Sequence, residues 1–504
     1  MRASGILLHP GSLPGKWGIG DLGNEAYRFV DFLKSSGQHL WQTLPLGPPG
    51  YGNSPYQSHS VFAGNPLFIS LEKLAEAGFL SPDDLKKAPI FPEHEIDYDT
   101  VTNFKIPLLH YSFHLFEERA SPGQKEEFEY FCRQNGGWLD TFATYMAIKE
   151  AHHLTAWNSW EPDIRENESP VIKEWQYRLA DGIRLHKFLQ FQFFKQWQGL
   201  KKYSHENGVR LIGDMPIFPA MDSAEVWSHP EMFFLDDGSR PVVVAGVPPD
   251  YFSSTGQLWG NPLYRWDVMK TDGYKWWKER LKSALSFFDI VRIDHFRGFE
   301  KYWAVPAGDK TAENGRWEPG PGAGLFEALQ SELGCLPIIA EDLGYITPEV
   351  EALRDKFGLQ GMRVLQFAFS GDPKENIHLP HLHKANCVVY TGTHDNTTAT
   401  GWFRMEDLDE TTQNPEARIN ETRRALEYMG SDGDEINWDF IRLAMESVAD
   451  TAIIPLQDIL GLGNEARMNT PGTMSANWRW RFCRSMLTEE MGERLRQITL
   501  LAGR

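Results

Sequence analysis

Eight short, near-continuously apolar runs recur along this chain, and many are followed by a stretch of helical periodicity. They are GILLHP (5–10), HLWQTLPL (39–46), VRLIGDMPI (209–217), DIVRIDHF (289–296), PIIAEDLG (337–344), GMRVLQFAF (361–369), NCVVYTGTHDN (386–396) and ADTAIIPLQDIL (449–460). Helical patterns lie between several of them, at 24–36, 170–206, 271–288, 324–333, 348–357 and 417–429. Apolar strands alternating with helices imply a parallel sheet covered on both faces. Eight such units imply an α/β fold, a (β/α)8 TIM barrel. A doubly wound open sheet is the competing architecture.

The spacing of the runs is uneven. Segment 47–170, with aromatic-rich helical patterns at 123–134 and 138–152, reads as a mainly helical subdomain inserted after the second strand. Segment 218–270 reads as a second insertion, covering substrate, after the third. Both fall in βα loops, which lie on the face where barrels build their active sites. The stretch 306–324 is rich in Gly and Pro and reads as a long βα loop. The expected organisation is one barrel over 1–504 carrying these two insertions; 504 residues is too many for one small domain.

A formal net charge of −19 argues against nucleic acid and anionic membranes as partners and fits a neutral substrate. The 18 tryptophans have two readings, a generous core or flat faces that stack on sugar rings. Cys132, Cys335, Cys387 and Cys483 show no CxxC spacing, so no metal is expected and reduced thiols in the cytoplasm are. The N-terminal apolar run is only 6–8, too short for a secretory signal, and no stretch approaches the ~18 apolar residues of a membrane span.

Four of the runs end alike. Asp214, then Asp294, then Glu341 with Asp342, then His394 with Asp395 arrive where a buried strand would leave the core. One carboxylate there could cap the next helix. Four sets, converging on one barrel mouth, line a cleft instead. Paired carboxylates in such a cleft suit glycosidic-bond chemistry, one protonating the leaving oxygen and another attacking the anomeric carbon. Arg292 lies two residues before Asp294, on the same face of the strand. It either holds a nucleophile ionised or makes a structural ion pair; the spacing permits both.

RIDHFRG, AEDLG and TGTHDN, in that order at the ends of the fourth, fifth and seventh runs, resemble the 4-α-glucanotransferases, the amylomaltases and disproportionating enzymes of the α-amylase clan. ILLHPGSLPGKWGIGDLG, WQTLPLGP, SPYQSHSVFAGNP, GDMPIF, GVPPDYFSSTGQLWGNPLY and RMNTPGT extend the resemblance over nearly the whole chain. The resemblance implies Asp294 as nucleophile, Glu341 as general acid/base and Asp395 as the carboxylate that grips ring hydroxyls and stabilises the transition state. It implies that Asp214, Arg292 and His394 line the sugar at the cleavage point and that Tyr56 stacks under it. Asp250, Gln257, Trp259 and Asn261 would belong to a loop over the sugar chain, and His295 and Asn464 would make further glucan contacts. Ser254 stands where many relatives carry Glu, which bears on acceptor preference.

The reading is therefore a retaining transferase that moves α-1,4-glucan segments to the 4-hydroxyl of a saccharide through a glycosyl-aspartate, without a cofactor. Maltooligosaccharides and amylose are the expected partners, and the protein is expected to be a monomer. Hydrolysis on the same carboxylates and a non-catalytic glucan-binding scaffold are the alternatives. Two decoys carry less. GIGDLG (18–23) matches GxGxxG but lacks a strand directly before it and an acid about 20 residues on. His378, His381 and His383 sit without a neighbouring carboxylate or Cys pattern, so a loop that caps or touches substrate is preferred to a metal.

Overall fold

The computed structural model describes residues 2–249, 253–408, 414–473 and 476–504. Twelve strands are present among them: β1 Ala3–Leu7, β2 Leu40–Gln42, β3 Arg210–Pro216, β4 Val243–Val247, β5 Gln257–Pro262, β6 Ile290–Asp294, β7 Lys301–Pro306, β8 Arg316–Pro319, β9 Ile338–Ala340, β10 Gln360–Val364, β11 Cys387–Tyr390 and β12 Thr451–Pro455. Eight of them close into a parallel barrel in the order β1-β12-β11-β10-β9-β6-β3-β2. These are the eight apolar runs, and the open-sheet alternative is set aside. The runs are apolar at consecutive positions because one side of each strand fills the barrel and the other meets helices. Closure is tight: a Cβ on Gly5 would meet the Leu40 carbonyl oxygen at 2.2 Å, so β1 and β2 approach only through a glycine.

Helices Asn24–Ser35, Lys275–Phe287, Ala323–Leu333, Pro348–Lys356 and Pro415–Met429 occupy the positions the periodicity predicts. The pattern over 170–206 divides at Leu179 into Ser169–Arg178 and Ala180–Glu206. Between β2 and β3 the chain is mainly helical, with long helices at Tyr98–Arg119 and Pro122–Ala151. The second of these opens on a capping box, Ser121 with Gln124, and a proline at its first position. Phe116, Phe128 and Phe188 lock these two helices onto Ala180–Glu206, with ring centroids 4.9 to 6.4 Å apart.

The segment 306–324 is not a loop throughout. β8 lies within it and pairs antiparallel with β7, and β7 pairs with β4. A four-stranded sheet, β5-β4-β7-β8, is thereby built from the loop after β3 and the loop after β6 together. Trp227 and Tyr264, aromatics of the first of these loops, are core residues rather than cleft surface. Trp227 donates to the Ile164 carbonyl and Tyr264 to the Ile217 carbonyl, and both are fully buried. The four cysteines are unbridged. No helix among the described residues is long and apolar enough to cross a membrane.

Candidate active site

β3 and β6 lie in register, with Asp214 opposite Arg292 and Pro216 opposite Asp294. Residues two apart on a strand share a face, so Asp214, Arg292 and Asp294 converge. The Arg292 guanidinium spans both acids. Its Nη1 donates to the two Asp214 oxygens at 2.8 and 2.6 Å, and its Nη2 donates to Asp294 Oδ1 at 2.9 Å. Burial works against the charge of Arg292, but Asp214 and then Asp294 outweigh it and hold its pKa well above the ordinary arginine value. Arg292 thus makes a buried ion pair with Asp214 and a second ion pair with Asp294. Asp214 is further held by the Tyr56 hydroxyl at 2.9 Å. Tyr56 stacks on His394, centroids 5.2 Å apart and planes 14° from parallel.

Glu341 follows β9, whose Ala340 pairs with Ile293 of β6. The next position on each strand is thus Glu341 beside Asp294. His295 adopts left-handed φ, ψ angles of 54° and 49°. For a residue with a Cβ this costs about 1 kcal/mol or more. The turn aims the His295 N–H at Glu341 Oε2, 2.8 Å away, while the Leu343 N–H reaches Oε1 at 2.9 Å. Burial, then the negative charge of Asp294, pushes the Glu341 pKa up to about 8, against the pull of Arg292 and these two amides. Glu341 thus keeps its proton at neutral pH while Asp294 beside it is bonded to Arg292, a pairing suited to acid/base catalysis.

Adjacent Asp342 faces the other way. It pairs with Arg354 and Arg363 and accepts from the Met362 N–H at 2.6 Å, so it is structural. Asp395 sits in the turn after β11. Asn469 Nδ2 donates to its Oδ1 at 2.6 Å, and His394 Nε2 lies 3.4 Å from the same oxygen. Arg467 ties the two segments together, donating to the Asp395 carbonyl at 2.5 Å and to the Asn469 carbonyl at 2.8 Å. Trp478 lies against both Tyr56 and His394. The sequence assigned no role to Asn469, Arg467 or Trp478. The RMNTPGT motif was the available signal for the first two.

Trp259, on β5, is half-buried and meets the His295 ring edge-on at 4.7 Å. Its indole N–H donates to Gln257 Oε1 at 3.1 Å. Burial lowers the His295 pKa to about 4, so this imidazole is neutral. Asn261 bridges Gln57 and the Pro219 carbonyl. Asn464 accepts from Thr397 Oγ1 at 2.6 Å. Asp250 lies outside the described residues. Ser254 is exposed. The three loop histidines are internal fastenings. His378 Nδ1 accepts from the Val364 N–H, His383 contacts Ser447 and the His378 carbonyl, and His381 contacts Tyr428.

A family model described as 4-alpha-glucanotransferase matches residues 8–486. The chain is 51% identical over 501 residues to the 4-alpha-glucanotransferase of Thermus thermophilus, covering 99% of this chain and 98% of that one. It is 50% identical over 507 residues to the protein of the same description from Synechocystis sp., covering 100% and 98%. Its backbone is similar to that of an amylomaltase from Streptococcus agalactiae in complex with acarbose, with a TM-score of 0.94, 38% identity and all of both chains covered.

Proposed function

The chain belongs to the 4-alpha-glucanotransferase family, and on that premise we propose how its carboxylates divide the work. The enzyme transfers α-1,4-glucan segments from one saccharide to another. Asp294 Oδ2 attacks the anomeric carbon while Arg292 neutralises Oδ1. Glu341, protonated at neutral pH, gives its proton to the departing glycosidic oxygen. The product is a glucan ester on Asp294 and a released saccharide.

Ester formation removes the negative charge that helps hold the Glu341 proton. The now-ionised Glu341 is therefore more stable than before attack, and it serves as base toward the 4-hydroxyl of the incoming saccharide. That oxygen displaces Asp294, and two inversions retain the α configuration. Asp395, oriented by Asn469, faces the positive charge that develops on the sugar ring in each step. Tyr56, beside Asp214 and His394, and Trp259, beside His295, supply stacking surface for the sugar chain.

The observation that carries this reading is the pairing of a proton-bearing Glu341 with an arginine-neutralised Asp294. The substrates we propose are maltooligosaccharides and amylose, acted on by a cytoplasmic monomer without a cofactor. With maltotriose as sole substrate, glucose and longer chains should appear while the total of reducing ends stays almost constant. Reducing ends that rise in step with substrate consumption would make water the usual acceptor and the enzyme a hydrolase in practice.

A further inference from the structure

Glu93, His94 and Cys483 lie outside the cleft. A short antiparallel pairing brings them together. Glu95 bridges Trp480, the Ile96 N–H donates to the Arg479 carbonyl at 2.7 Å, and the Arg481 N–H donates to the His94 carbonyl at 3.0 Å. Two donors come from one strand of this ribbon and one from the other, 389 residues away from His94 in sequence. Cysteine spacing alone could not have revealed such a set.

Their ligand atoms lie within 4.8 Å of one another. The Cys483 Sγ is 3.7 Å from Glu93 Oε2, 3.7 Å from His94 Nδ1 and 3.8 Å from Nε2. In a tetrahedral zinc site the sulfur-to-nitrogen and sulfur-to-oxygen edges are about 3.6 Å, given Zn–S near 2.3 Å and Zn–N or Zn–O near 2.0–2.1 Å. The edges from sulfur match, and rotation of the imidazole, whose two nitrogens are almost equidistant from sulfur, would aim one of them at the ion. The neighbouring arginines do not take the donors' places. Arg481 donates to the carbonyls of Pro92 and Gly15, and Arg479 pairs with Glu95.

We propose that Glu93, His94 and Cys483 form a three-ligand site for a zinc-class divalent cation, with solvent as fourth ligand. One sulfur, one imidazole nitrogen and one carboxylate favour a borderline-soft ion over magnesium or calcium, which take oxygen. As the metal–sulfur bond forms, the thiol proton passes to solvent. The bound ion would fasten the segment ending at Ile96 onto the segment that continues from Trp478.

The test uses the full-length protein, stripped with chelator and titrated with zinc ion by equilibrium dialysis. One zinc per chain is expected, and Cys483→Ser or His94→Ala should weaken binding by more than the ~10–100-fold that loss of an outer-shell partner costs. Because a variant could misfold, alkylation of the unmodified protein gives a second measurement. Saturating zinc should slow iodoacetamide labelling of Cys483 severalfold and leave exposed Cys335 unaffected. Unchanged zinc affinity in Cys483→Ser would overturn the proposal. So would a Cys483 labelling rate indifferent to zinc, or equal protection by magnesium.

Discussion

At the scale of single residues, the proposed mechanism turns on one carboxyl group that keeps its proton. There Glu341 must be protonated in the free enzyme to start the reaction, so kcat/KM should fall as pH rises through about 8. A basic limb centred below pH 6 would point to another acid. The same shift predicts a trade between activity and stability. The folded pKa lies above the ordinary 4.5, so ionising Glu341 costs nothing below that value and progressively more up to about 8. In Glu341→Gln the amide surrenders one of the two backbone hydrogen bonds, a penalty independent of pH. The Tm of the variant minus that of wild type should therefore climb between those pH values and then level off. A flat difference would mean that Glu341 bears no such burden. A third expectation concerns Asn469, which grips Asp395. Hydrogen bonds to charged groups are worth about 1.5–3 kcal/mol, so Asn469→Ala should lower kcat about 10- to 100-fold with Tm little changed. Wild-type kcat would make this contact incidental. The three carboxylates were legible because each ends an apolar run. Asn469, Arg467 and Trp478 lie in a stretch with neither strand nor helix periodicity; the RMNTPGT motif covers the first two without assigning them a role, and nothing flags Trp478. The apolar run alone does not separate Glu341 from Asp342; the resemblance picks Glu341, and Asp342 turns to Arg354.

At the scale of elements, register does the positioning. The in-register pairing of β3 with β6 sets Asp214 against Arg292, and that of β6 with β9 sets Asp294 beside Glu341. A slip of one residue would turn these groups to the opposite face. The eight barrel strands could be read from sequence because burial on both sides leaves a continuous apolar signature. β8 could not. It is four residues long, flanked by Gly and Pro, and held by β7, whose other partner β4 comes from a different loop. Residue type alone does not fix placement: Trp227 and Tyr264 are aromatics of the loop after β3, yet they lie in the core. Trp259, half-buried on β5, is the aromatic we propose to meet a glucan. Trp259→Ala should raise KM for amylose severalfold and change kcat on maltotriose little. Equal constants on both substrates would make it a packing residue.

At the scale of the whole molecule, the four-stranded sheet is tied to the barrel through two of its loops. The sheet β5-β4-β7-β8 takes two strands from the loop after β3 and two from the loop after β6, the strand that carries Asp294. The chain passes from Asp294 at the end of β6 through the short turn 295–300 straight into β7 of that sheet. A design of this kind resembles a vice cast in one piece with its bench more than a jaw on a hinge. Selection between water and sugar then becomes a competition for a ready-made surface, decided by occupancy. Transfer should begin at full speed when acceptor is added and saturate hyperbolically with its concentration, and the yield of longer chains should be adjustable through the supply of free saccharide alone.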